Sequence, residues 1–113
     1  MKLPNFHNAL ISTSKLRGYL LSSEHAHGRH KAAFFRQFGF SIANPEAFAS
    51  ALLGHAEKHD VAKIEDSPYG KRYVIDVNMA MLDGRNPLVR AVWFVETGED
   101  IPRFVTVYPL ERS

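Results

Sequence analysis

Apolar residues recur at helical spacing through the first half of the chain and at alternate positions through the second. Residues 6–11, Phe-His-Asn-Ala-Leu-Ile, read as an edge strand or an extended lead-in. Ser12-Thr13-Ser14 offers capping hydroxyls, and Leu16, Tyr19 and Leu20 then fall at i, i+3 and i+4. That spacing predicts a helix over about 15–22. Residues 23–28 read as a loop. A second helix, over about 29–38, carries His30, Phe34 and Phe38 on one face with Lys31 and Phe35 beside them. Gly39 is a natural stop for it. Asn44-Pro45-Glu46 opens a third helix, over about 45–59, because proline is tolerated in a first turn. Its apolar stripe is Phe48, Ala51, Leu52, His55 and Ala56, and His59-Asp60 marks its end.

The period then changes to two. Strands are predicted over about 61–66, 71–82, 87–97 and 103–109. Tyr73, Ile75 and Val77 alternate with Arg72, Asp76 and Asn78; Val89, Ala91, Trp93 and Val95 supply the matching stripe of the next strand. Ser67-Pro68-Tyr69-Gly70, Asp83-Gly84-Arg85-Asn86 and Thr97-Gly98-Glu99-Asp100 are turn chemistry. Short links between consecutive strands imply an antiparallel meander. The fold class is therefore α+β: two or three N-terminal helices packed on one face of a four-stranded meander, in a single domain over 1–113. The expected core sets Tyr73, Ile75, Val77, Trp93, Val95, Val105 and Val107 against Phe34, Phe38, Phe48 and Leu52.

Composition narrows the function only slightly. The 113 residues include no cysteine, which excludes disulfides and thiolate metal sites. The start, Met1-Lys2-Leu3-Pro4-Asn5, has no apolar core of a signal peptide, and no apolar run reaches the roughly 20 residues of a membrane helix. No membrane partner is expected. The location is cytoplasmic, or a target cell reached as part of a larger exported protein. The net charge of +2 is mild, so phosphate binding has to come from a local cluster.

Two clusters stand out. One is His25-Ala26-His27-Gly28-Arg29-His30-Lys31 at a loop-to-helix junction, where backbone N–H groups and two cations favour an anion and a histidine can move a proton near neutral pH. The plainer reading is that His30 opens an amphipathic stripe and His25 and His27 are solvated. The three histidines fit no recognised zinc spacing, so no metal is expected. The other cluster lies on the sheet. With a three-residue first hairpin, Asn78 faces Arg90 and Arg72 faces Glu96. Arg90 then faces Tyr108, Val92 faces Thr106 and Phe94 faces Phe104, which groups Asn78, Arg90, Thr106 and Tyr108 in a patch able to hold a phosphate. The plainer alternative is routine cross-strand pairing. Asp76 has no second carboxylate nearby, so glycosidase-type pairing has no support. Nucleophile-elbow, P-loop and dinucleotide motifs are absent.

Leu3-Pro4-Asn5, Lys15-Leu16-Arg17-Gly18-Tyr19-Leu20-Leu21, Glu24-His25, Gly28-Arg29-His30-Lys31-Ala32, Arg72-Tyr73-Val74, Arg90-Ala91-Val92-Trp93 and Gly98-Glu99-Asp100-Ile101-Pro102-Arg103-Phe104 together resemble a bacterial family known only as a domain of unknown function. Such domains look like relatives of toxin nucleases of the barnase–EndoU–colicin–RelE type, with helices on a four-stranded meander. The resemblance implies that His30 and Lys31 match a Gly-x-His-Lys motif, and that Arg72, Arg90, Thr106 and Tyr108 match sheet positions of the site.

Two readings stay open. The first is a bacterial toxin that cuts RNA without a metal or other cofactor. His30, Lys31, Arg90, Thr106 and Tyr108 are its catalytic candidates, and Arg29, Arg72 and Asn78 its substrate-binding ones. Its partners are RNA and a small immunity or antitoxin protein. The second is a non-catalytic module that binds protein or nucleic acid through the same face.

Overall fold

The computed structural model describes residues 1–12, 14, 16, 35, 38–40 and 43–110. Its centre is a four-stranded antiparallel sheet with strand order β1-β2-β3-β4. The strands are β1 (Lys63–Ser67), β2 (Gly70–Asn78), β3 (Leu88–Glu96) and β4 (Arg103–Pro109). One α-helix, α1 (Pro45–Lys58), packs against it.

The expectation of two or three N-terminal helices is corrected. Among the described residues the one α-helix whose bounds are described lies mid-chain, after a 3-10 turn at Phe6–Asn8; the other helical residues described are Ser14, Leu16 and Phe35. The helices expected over 15–22 and 29–38 fall almost wholly outside the described residues. The chain start turns because Asn5, which tolerates the left-handed region, takes φ 58°, and its carbonyl accepts the Asn8 N–H. Leu10 then pairs in parallel with β4: its N–H reaches the Pro102 carbonyl at 2.9 Å and its carbonyl accepts the Phe104 N–H at 2.9 Å.

The α1 helix starts as its sequence requires, with Pro45 in the first turn and Glu46 beside the positive helix end. Phe48, Leu52 and Ala56 are buried in one cluster with Tyr73, Ile75, Val89, Ala91, Trp93 and Val107. Phe48 sits between Phe35 and Phe40, with ring centres 4.8 and 5.0 Å away. Trp93, fully buried, meets Phe104 edge-on at 5.6 Å.

The first hairpin register differs from expectation throughout, and the second differs only beyond Val92, where Arg90 opposite Tyr108 and Val92 opposite Thr106 give way to a shifted pairing. The ladder of β2 ends at Asn78 because the next pair, Met79 with Pro87, keeps one bond only: Met79 N–H reaches the Pro87 carbonyl, and proline has no N–H to return. The link between the named strands is residues 79–87, but within it the Met81 N–H still reaches the Arg85 carbonyl at 3.0 Å, so the turn centres on Asp83 and not, as expected, on Gly84. Asp76, not Asn78, faces Arg90; Arg72 faces Phe94, not Glu96. The slip is two residues, so every side chain keeps its face. Between β3 and β4 a bulge breaks the register at Val92/Trp93. Val92 still faces Thr106, but Trp93 faces Phe104, which turns inward, while Phe94 faces Arg103. The extra residue, Val105, is half-buried instead of core, as are Val77 and Val95.

His55 is the buried polar residue of α1, 3% exposed. Its Nε2 lies 3.0 Å from the Val77 carbonyl oxygen. That oxygen only accepts, so Nε2 carries the proton, and Nδ1 is left buried with no hydrogen-bond partner among the described residues. Burial pushes the His55 pKa below its ordinary 6.5, the Val77 carbonyl opposes that, and the charges of His59 and Asp76 act in opposite senses.

Two outcomes follow. Trp93→Ala should lower stability by about 3–5 kcal/mol in urea titration, whereas Tyr69→Ala, at a 79% exposed turn position, should change it by less than about 0.5 kcal/mol. For His55, the folded pKa lies below the unfolded one. Its contribution is complete above pH 6.5 and is lost as pH falls through the folded value. The urea midpoint should drop between pH 7.5 and 5.5, and His55→Gln should flatten that drop.

Candidate functional site

Alternation fixes what the far face of the sheet carries. Because Tyr73, Ile75, Ala91, Trp93 and Val107 point toward α1, the residues between them point away. Registered across the strands, the rows are Glu65, Arg72 and Phe94; then Lys63, Val74, Val92 and Thr106; then Asp76, Arg90 and Tyr108; then Asn78 and Leu88. Val74 and Val92 are buried but stand outside the main core cluster, forming an apolar floor between the polar rows.

The third row holds the best-formed polar geometry. Arg90 donates from Nε to Asp76 Oδ1 and from Nη2 to Asp76 Oδ2, both at 2.7 Å. Its Nη1 makes a long 3.5 Å contact to the Tyr108 hydroxyl. The side chains of Arg90 and Asp76 are 35% and 25% exposed, so the pair is reachable from solvent. Asp76 and then Tyr108 hold the guanidinium protonated even more firmly than usual, so Arg90 is a fixed cation at any working pH.

The sequence-predicted residues distribute unevenly. Arg90 and Tyr108 are neighbours, and Thr106 lies in the next row, beside Val92. Arg72 is two rows away and engaged by Glu65 at 2.8 Å; that hydrogen bond, with a further contribution from Lys63, holds the exposed Glu65 carboxyl below its usual range. Asn78 points to the end of the sheet, where its amide donates to the Asn86 carbonyl. Arg29, His30 and Lys31 lie outside the described residues. Asp76 is the residue that sequence reasoning passed over. The signal that finds it is register: once the turn is centred on Asp83, Asp76 falls opposite Arg90.

A hollow of about 430 Å³ at the other end of the molecule is a poor home for phosphate. It is lined by Asp66, Glu96, Glu99 and Asp100, with Lys71 already paired to Asp66.

The model of a domain of unknown function, DUF6883, matches residues 2–111. The chain belongs to that family. No curated protein matches it. The DUF6883 chain is similar in fold to a chain of the contact-dependent growth inhibition toxin–immunity protein complex from Klebsiella pneumoniae 342. The TM-score is 0.70 at 14% identity, over 95% of this chain and 97% of the other. At that identity the likeness is one of fold. Among the described residues, no helix of this DUF6883 domain is long and apolar enough to cross a membrane.

A double-mutant cycle on Asp76→Ala and Arg90→Ala should return a coupling of about 1 kcal/mol, modest because both groups touch solvent. The exposed Lys71–Asp66 pair, 3.9 Å apart, should couple less strongly than this bidentate one.

Proposed function

We propose that this DUF6883 domain is the toxin of a toxin–immunity pair and that it cleaves RNA on the sheet face away from α1. The observation that carries the reading is the Asp76–Arg90–Tyr108 row, a solvent-reachable, oriented cation beside a phenol, on a fold shared with a chain of a growth-inhibition toxin–immunity complex. That complex joins a toxin to its immunity protein, and the polar row favours the catalytic partner.

The chemistry is attack of a ribose 2′-oxygen on the adjacent phosphorus. A P–O2′ bond forms, the P–O5′ bond breaks, the 2′ proton passes to a base and a proton is delivered to the leaving 5′-oxygen. The products are a 2′,3′-cyclic phosphate and a 5′-hydroxyl. His30 moves the proton, Lys31 and Arg90 stabilise the charge that develops on phosphorus oxygens, and Thr106 and Tyr108 donate hydrogen bonds. Arg29, Arg72 and Asn78 hold the flanking strand. Proton-transfer groups and fixed cations suffice for this attack without a metal. A small immunity protein covering this face would silence the domain. In such a pair the domain enters its target cell as part of a larger exported protein.

Purified protein should cut single-stranded or transfer RNA with undiminished rate in a chelator. His30→Ala should lower the rate by roughly 10²–10⁴-fold, and Arg90→Ala should raise the barrier by about 2.7–4 kcal/mol, with folding monitored by circular dichroism. If the folded protein leaves every RNA intact and its expression does not slow growth, the domain is a binding module and the nuclease reading is wrong.

A further inference from the structure

An arginine side chain has many rotamers, and fixing one costs entropy. In this domain the fixing is done by a single carboxylate. Asp76 closes a side-on fork on Nε and Nη2, with two bonds of 2.7 Å across the β2–β3 ladder. A guanidinium has five N–H donors. Two go to Asp76 and one points to Tyr108, which leaves, among the described residues, one donor on each terminal nitrogen. Those two donors are what the site presents to a ligand, in a direction set by Asp76.

We infer that Asp76 is the positioning residue of this site, holding Arg90 so that its remaining donors meet the phosphoryl oxygens as they gain charge. The inference rests on the ribonuclease reading above. It has a specific electrostatic content. The Asp76 carboxylate cancels the formal charge of Arg90, so the pair attracts resting RNA weakly. The directed N–H bonds survive that cancellation and act where new negative charge appears. Interactions of this kind raise turnover and leave ground-state affinity nearly unchanged. Removing the carboxylate has the opposite signature: a free, mobile cation that binds RNA at least as well and turns it over poorly.

The test uses the full chain, a defined single-stranded RNA, and the variants Asp76→Asn, Asp76→Glu, Arg90→Ala and Asp76→Asn with Arg90→Ala. Asp76→Asn should lower kcat by about 10²-fold, the scale of a misplaced catalytic group, with KM unchanged or lower. Asp76→Glu should recover part of the loss. The double variant should be no slower than Arg90→Ala alone. In the ¹⁵N–¹H spectrum the Arg90 Nε–H signal should be protected from water exchange in the wild type and lost in Asp76→Asn. A structural role alone would lower thermal stability and move neither the kcat-to-KM split nor the additivity.

An active wild type with Asp76→Asn at full kcat overturns the inference and leaves the nuclease reading standing. So does an Asp76→Asn loss that adds to that of Arg90→Ala. If Asp76→Asn does not fold, Asp76→Glu decides: it keeps the carboxylate, and a folded Asp76→Glu with an exchange-protected Arg90 Nε–H but no activity above Arg90→Ala overturns it. A folded wild type that cuts no RNA overturns the nuclease reading, and the role of Asp76 with it.

Discussion

The pairing of β2 with β3, nine residues on each strand, is the constraint on which the rest of the molecule depends. It sets Tyr73 opposite Trp93 and Ile75 opposite Ala91, and so delivers a continuous apolar surface to α1. The same pairing decides the opposite face. With Trp93 inward, Arg90, Val92 and Phe94 have no choice but to point away, and Asp76 comes under Arg90. A slip of β3 by one residue would turn Arg90 inward, away from Asp76, and expose the tryptophan. Core and site are two readings of one register.

Much of this was legible in the residues, and what was missed has physical causes. Four strands in meander order are written in the period-two alternation from Lys63 to Tyr108, and α1 in the stripe Phe48, Leu52 and Ala56. Arg90 opposite Tyr108 and Val92 opposite Thr106 follow from parity and a short turn. The alternation continues through Met79 and Met81, both buried, so the sequence pattern alone extends β2 past its true end. Pro87, with no N–H to return, marks the end of regular pairing, but the register is set by the turn, which centres on Asp83; placing that centre one residue later, on Gly84, moves Asn78 into the place of Asp76. The bulge at Val105 is invisible to a periodicity argument, since Phe104 and Val105 are both apolar and either one can face inward. The N-terminal lead-in was legible as extended chain or edge strand, but not its partner: the edge of β4 lies far along the chain, and no local pattern announces it.

The fold is shared at 14% identity with a chain from a toxin–immunity complex. What such a sheet requires is modest: alternating apolar positions, a helix to cover one face, and turns that hold parity. The far face is released from those demands. Its polar rows vary at little cost to folding, which is why similarity of fold carries so little information about chemistry, and why the geometry around Arg90 is the more telling observation.

The Leu10–Arg103 bridge has an outcome for how this sheet meets other chains. A sheet edge is an unsatisfied template, ready to recruit any passing strand. On the β4 side, the Pro102 carbonyl and Phe104 N–H are already occupied by Leu10, so the domain's own beginning serves as a selvage. The other margin, β1, is only five residues long and displays Lys63, Glu65 and Asp66, charges that discourage uninvited pairing. Among the described residues, the two margins of the sheet are thus guarded in different ways, one by a borrowed piece of backbone and the other by charge.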